Sequence, residues 1–98
     1  MKAREVTEMI AIHDQLVEET AKYIGERKKL GDGKEVRITS IGFIHCSDRE
    51  EYIDFNSDFT PSAKPFIEAI DELIENLKSQ IQKIEMTLSW VEFETKLA

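Results

Sequence analysis

From Ile67 onward, apolar side chains return at every third or fourth residue without a gap: Ile67, Ile70, Ile74, Leu77, Ile81, Ile84, Leu88 and Val91. That alternation of three and four places all of them on one stripe of an α-helix, the seam of a heptad pattern. A helix with such a stripe is stable only when the stripe is covered, so the rest of the chain must supply a matching face. The start of the helix is marked by Phe59-Thr60-Pro61-Ser62-Ala63-Lys64-Pro65. Ser62 is the expected N-cap and Pro65 falls in the first turn, where its missing N–H costs nothing. Glu68, Asp71, Glu72 and Glu75 occupy the early solvent face, the end at which the helix dipole favours acids.

The covering face is expected from residues 3–30. Ala3, Val6, Ile10, His13, Val17, Thr20 and Ile24 recur at spacings of three and four, and Met9, Leu16, Tyr23 and Leu30 form a second row beside them. Glu5, Glu8 and Asp14 come early and Arg27, Lys28 and Lys29 late, again matching the dipole. Gly31-Asp32-Gly33 should stop this helix, since glycine takes the left-handed capping conformation at no steric cost.

Between the helices, residues 35–57 read as a β-hairpin. Val36 to His45 is rich in β-branched and aromatic residues. Its alternation slips: Val36 and Ile38 share one face, Ile41 and Phe43 the other. A bulge near Thr39 to Ile41, or burial of both faces, would reconcile them. Cys46 to Glu50 is a polar turn, and Glu51 to Ser57 alternates cleanly, with Ile53 and Phe55 on one side. A two-stranded hairpin is marginal in water, so it is expected to pack on the helices or on another sheet.

The fold class that follows is α+β: two long antiparallel helices flanking a central hairpin, in one domain over 1–98, with helices at 3–30 and 63–95. The end of the second helix has a competitor. Val91 to Leu97 alternates apolar and polar with period two, as would a third strand. No Gly, Pro, Asn or Asp separates these residues from the helix, so continued helix is the expectation. Met86, Trp90, Phe93 and Leu97 then form a second apolar stripe opposite the seam, more than one small chain readily covers.

Composition narrows the function. At 98 residues the core is modest, and association could enlarge it. The apolar share of 41% and the charged share of 34% suit a folded chain with solvated helix faces. A net charge of -7 disfavours direct binding to nucleic-acid backbones, while suiting a protein that docks on a basic surface. The single cysteine, Cys46, excludes an intrachain disulfide and fits a reducing compartment. The first residues are charged and lack the apolar core of a signal peptide, and no apolar run approaches the roughly 20 residues of a membrane span. The expected location is cytoplasmic, with no membrane contact.

No enzyme signature is present: no phosphate-binding glycine loop, no paired histidines flanking a glutamate, no paired cysteines at metal-ligand spacing. No catalytic residue, cofactor or metal is therefore expected. His45, Cys46 and Asp48 are ligand types, but strand neighbours face opposite ways, so His45 and Cys46 do not readily share one ion. His13, on an apolar row, reads as a core-edge residue whose protonation could tune assembly. The segment 22–37 is locally basic; Arg27, Lys28, Lys29, Lys34 and Arg37 could hold a small anion such as a nucleotide, against the simpler reading of a dipole-matched helix end.

The order helix, hairpin, helix is similar to that of prefoldin subunits, in which a hairpin joins the two arms of a coiled coil. The similarity is of element order and heptad seam, and it implies a chaperone-like or structural assembly subunit as one reading. The leading expectation is a small acidic, non-enzymatic binding protein, homo-oligomeric, that occupies or sequesters a protein partner through Met86, Trp90, Phe93 and Leu97. Small acidic viral inhibitors of host factors share this general make-up.

Overall fold

The computed structural model describes residues 1–94 and 97. Helix α1 spans Ala3–Lys28, strand β1 Ser40–Ile44, strand β2 Glu50–Asp54 and helix α2 Lys64–Thr87. The two helices flank an antiparallel hairpin, the α+β arrangement expected from the periodicities.

The heptad seam is the core. Ile67, Ile74, Ile81 and Leu88, seven residues apart, are buried, and Ile70, Leu77, Ile84 and Val91 beside them are half-buried. The face that α1 turns toward this seam is of mixed character. Its own seven-residue row is Val6, His13, Thr20 and Arg27, and its two fully buried members are the polar His13 and Thr20. Ile10, Leu16, Val17, Tyr23 and Ile24 fill the flanks as half-buried neighbours.

Each polar group on that row has a partner, as burial demands. The Thr20 hydroxyl donates to the Leu16 carbonyl at 2.6 Å. Arg27 donates from Nε to Asp71 Oδ1 at 2.7 Å and from Nη1 to the Gly31 carbonyl at 2.7 Å. His13 Nε2 lies 3.3 Å from Glu85 Oε1. These interhelix pairs set the alignment: the step from 13 to 27 along α1 is matched by the step from 85 back to 71 along α2, so the helices run antiparallel in one register. Polar residues in a heptad seam are a recognised device for fixing register.

The connection out of α1 depends on two glycines with positive φ, Gly31 at 54° and Gly33 at 82°. Gly33 passes directly over the first turn of α2. A Cβ there would lie 2.5 Å from Ile67 Cδ1, whereas one at Gly31 would meet nothing within 4 Å. At the start of α2, Pro65 sits in the first turn as expected, but the cap position is the buried Ala63. Ser62 lies one residue ahead, and its Oγ accepts from Lys64 N at 3.3 Å.

The hairpin pairs Ile41 with Ile53 and Phe43 with Glu51 in an unbroken register from Ser40↔Asp54 to Ile44↔Glu50. The slip in alternation marks the start of the strand rather than a bulge: Val36 and Ile38 precede it, half-buried in the connection. The turn is a three-residue loop. Asp48 N donates to the His45 carbonyl, Asp48 takes φ 65°, and His45 N donates to the Arg49 carbonyl. Aspartate is among the few non-glycine residues that tolerate this conformation.

One alternative is excluded and one expectation is corrected. The hairpin does not pack on the helices: neither strand contacts α1 or α2. The molecule is accordingly long and flat, 57 × 34 × 15 Å, with a radius of gyration of 17.7 Å, against about 13 Å for a compact chain of this length. In addition, α2 ends at Thr87, short of residue 95. Leu88 leaves the helix at φ -105°, ψ 52°, and Val91 N closes a turn onto the Leu88 carbonyl. Thr87 already bonds back to the Lys83 carbonyl, and the residues that follow are rich in β-branched and aromatic types that hold a helix weakly. No third strand occurs among the described residues.

Gly33→Ala should therefore destabilise the chain by ~2 kcal/mol, from the left-handed backbone and the collision with Ile67 together. Gly31→Ala carries only the backbone cost. Thermal denaturation followed by circular dichroism should show the larger fall in Tm for Gly33→Ala; equal falls would contradict the close approach to Ile67.

Candidate interaction surface

After α2 the chain folds back across α1. Leu88, which closes α2, is fully buried, and Phe93 lays its ring on His13, with centroids 4.0 Å apart and planes at 34°. His13 is only 2% exposed. Besides Glu85 on α2, its ring faces Asp14 Oδ1, 3.3 Å from Nδ1. An open depression of about 500 Å³ lies beside this contact, walled by Ile10, Val17 and Val91.

This return redistributes the expected stripe of Met86, Trp90, Phe93 and Leu97. Phe93 turns inward to His13, and Leu97 is half-buried. Met86 and Trp90 stay outside, 71% and 65% exposed. A stripe on one continuous helix required the helix to reach residue 95, and it stops at Thr87. What remains is an outward pair, Met86 and Trp90, at the end of the bundle where α2 gives way to the returning segment.

The hairpin carries the second exposed apolar surface. One face bears Ile41, Phe43, Ile53 and Phe55, continued at the turn by His45, whose Nε2 is 2.8 Å from Glu51 Oε2. Arg49 Nη2 reaches the other oxygen of Glu51 at 2.9 Å. The other face bears Gly42, Ile44 and Tyr52, the last two 65% and 68% exposed. The Tyr52 ring lies against Gly42, where a Cβ would stand 2.9 Å from Tyr52 Cε1. No motif in the sequence marks Ile44, Tyr52 or the strongly exposed Phe59 as surface apolar residues. The available signal was composition: aromatic and β-branched residues on a hairpin with too little chain to bury it.

The basic residues do not gather into one site. Arg27 is engaged by Asp71 and the Gly31 carbonyl, Lys29 by Glu26 at 3.1 Å, and Lys34 by Asp32 at 3.9 Å. Lys28 and Arg37 are exposed. A separate open depression brings Lys34 near Lys64 and Ser62, with Asp32 on its rim. Cys46 is exposed in the turn, and no group of three His, Cys, Asp or Glu side chains among the described residues is close enough to hold a metal ion. No described helix is long and apolar enough to cross a membrane. Comparison with protein-family models, characterised proteins and solved structures gave no match.

Phe93→Ala should lower stability by roughly 2 kcal/mol, less than the cost at a fully buried site because the ring is half-exposed. Its helical circular dichroism at low temperature should match wild type, since Phe93 lies outside α2. His13→Ala, which empties a buried position between the helices, should cost at least as much. A helical signal that drops with Phe93→Ala would contradict a contact confined to the returning segment.

Proposed function

We propose that this chain is a non-enzymatic binding protein that works as a homo-oligomer and occupies a protein partner through the exposed end of the bundle. The observation that carries this reading is the pair Met86 and Trp90, the largest exposed side chains around the α2 terminus, standing next to a segment whose other apolar residues turn inward. Tryptophan and methionine are both enriched in protein interfaces, and Trp is prominent among residues that dominate binding energy. The acidic surface favours a basic partner face. The reading as a binder of a small anion has less support, because Arg27, Lys29 and Lys34 are already engaged by carboxylates.

Trp90 is the chain's only tryptophan, so its fluorescence reports directly on its cover. Light scattering of the purified chain at tens of micromolar should give more than the monomer mass. Adding a bound partner should blue-shift the Trp90 emission and shield it from acrylamide. Met86→Ala with Trp90→Ala should weaken partner binding by about tenfold or more while leaving helix content unchanged. A monomer with Trp90 open to quencher under every condition tried, and binding unaffected by the double change, would remove the reading.

A further inference from the structure

The hairpin is a two-stranded sheet with nothing packed on either face by the helices, an arrangement marginal in water unless more strands or a covering element are added. Its two edges differ in chemistry. The bonds from Phe55 N to the Thr39 carbonyl and from His45 N to the Arg49 carbonyl fix which residues point inward. With the observed register, Ile41, Phe43, Glu51 and Ile53 spend their amides and carbonyls inside the ladder. Ser40, Gly42 and Ile44 on β1, and Glu50, Tyr52 and Asp54 on β2, therefore direct theirs outward. All six are exposed, and among the described residues no other bond is made to the main-chain groups of Ser40, Gly42 or Ile44.

Natural edges are guarded by charge, proline or a bulge. Strand β2 is guarded, with Glu50, Glu51 and Asp54 in five residues. Strand β1, Ser-Ile-Gly-Phe-Ile, has no charge, no proline and no bulge. Charge then selects among the ways two copies could join. Pairing β2 with β2 about a two-fold axis at Tyr52 would set Glu50 opposite Asp54 of the second copy, twice, and like charges directly opposed are destabilising. Pairing β1 with β2 leaves a free edge of each kind at the ends, so it propagates instead of closing. Pairing β1 with β1 antiparallel about Gly42 closes, and it opposes no charges.

We infer that two copies of this chain join through their β1 edges, antiparallel about Gly42, into one four-stranded sheet ordered β2-β1-β1-β2. Ser40 of each copy then exchanges main-chain hydrogen bonds with Ile44 of the other, and the two Gly42 residues bond to each other. On one face, Ile41 lies beside the second copy's Phe43, so the two apolar patches merge. On the other, Tyr52 covers Gly42 in each copy, and the two rings flank the axis. The guarded β2 strands become the outer edges, which stops further addition. This inference rests on the homo-oligomeric half of the proposed function and specifies its interface; it is independent of the Met86 and Trp90 surface.

The test uses the full chain with Ser40→Lys and Ile44→Lys together. Within one hairpin each new lysine faces a carboxylate, Asp54 or Glu50, so the hairpin itself is not harmed. Across the two-fold axis each lysine meets the other, and dimerisation measured by sedimentation should weaken about tenfold. A second measurement reads register without relying on that variant. In a Cys46→Ser background, chains with Ser40→Cys mixed with chains with Ile44→Cys should form a disulfide on mild oxidation, because paired strands bring those positions within bonding range. Either chain oxidised alone should not. A monomeric wild type, including one whose β1 edge is taken by an extended peptide of another protein, would overturn both this interface and the self-association it specifies. An oligomer untouched by the two lysines, broken by Met86→Ala with Trp90→Ala, or cross-linked equally by Ser40→Cys alone, would overturn this interface while leaving the functional reading in place.

Discussion

The structure hangs on the meeting of an all-apolar seam on α2 with a partly polar one on α1. Ile67, Ile74, Ile81 and Leu88 supply the buried hydrocarbon. Each such side chain removed from water contributes roughly 1.5–3 kcal/mol, and this row is the main store of such burial in the chain. Against it α1 presents His13 and Thr20, both fully enclosed, and Arg27 at the margin. An apolar side chain at those positions would bury more area. The polar ones give alignment instead: His13 meets Glu85 and Arg27 meets Asp71 in only one antiparallel register, and a slip by one turn would leave a buried imidazole without its partner. Stability comes from α2 and uniqueness from α1.

That division has consequences at both ends of the bundle. At one end the chain must leave α1 and reach the hairpin while passing over Ile67, and a Cβ at Gly33 would have to displace the Ile67 δ-methyl from a left-handed backbone. At the other end α2 stops at Thr87 although α1 runs on to Ala3, and the chain turns back so that Phe93 lies on His13 and Val91 lines the depression beside it. The turn leaves Met86 and Trp90 outside. Their exposure is thus a product of where the bundle ends, and it gives the molecule an apolar tip that the core does not use.

The hairpin sits outside this economy altogether. With no element packed on it, its order depends on the Tyr52–Gly42 contact, the His45–Glu51–Arg49 group near the turn and the strand ladder itself. Such a ribbon is the part of the chain with most to gain from a neighbour, and the asymmetry of its edges, one acidic and one uncharged, determines how a neighbour can approach.

Local sequence determined the elements. Periodicity located the seam and named its residues, because a helix on a core must repeat at three and four. Two glycines placed the end of α1, and proline placed the start of α2, because both act through the backbone alone. Other features were decided by tertiary contact. By sequence alone the slip at Thr39 fits a bulge or burial of both faces, since sequence cannot say where a strand begins when the residues before it are equally β-branched. The end of α2 is not legible in sequence because helix and strand periodicities overlap from Ile84 to Leu97; it is set where Leu88 leaves the helix and Phe93 turns back onto His13. Arg27 looked like part of a basic cluster until Asp71, 44 residues away, took it up. Whether the hairpin would lie on the helices or stand apart was also beyond local reading, for it depends on the geometry of the two connections and not on the strands they join.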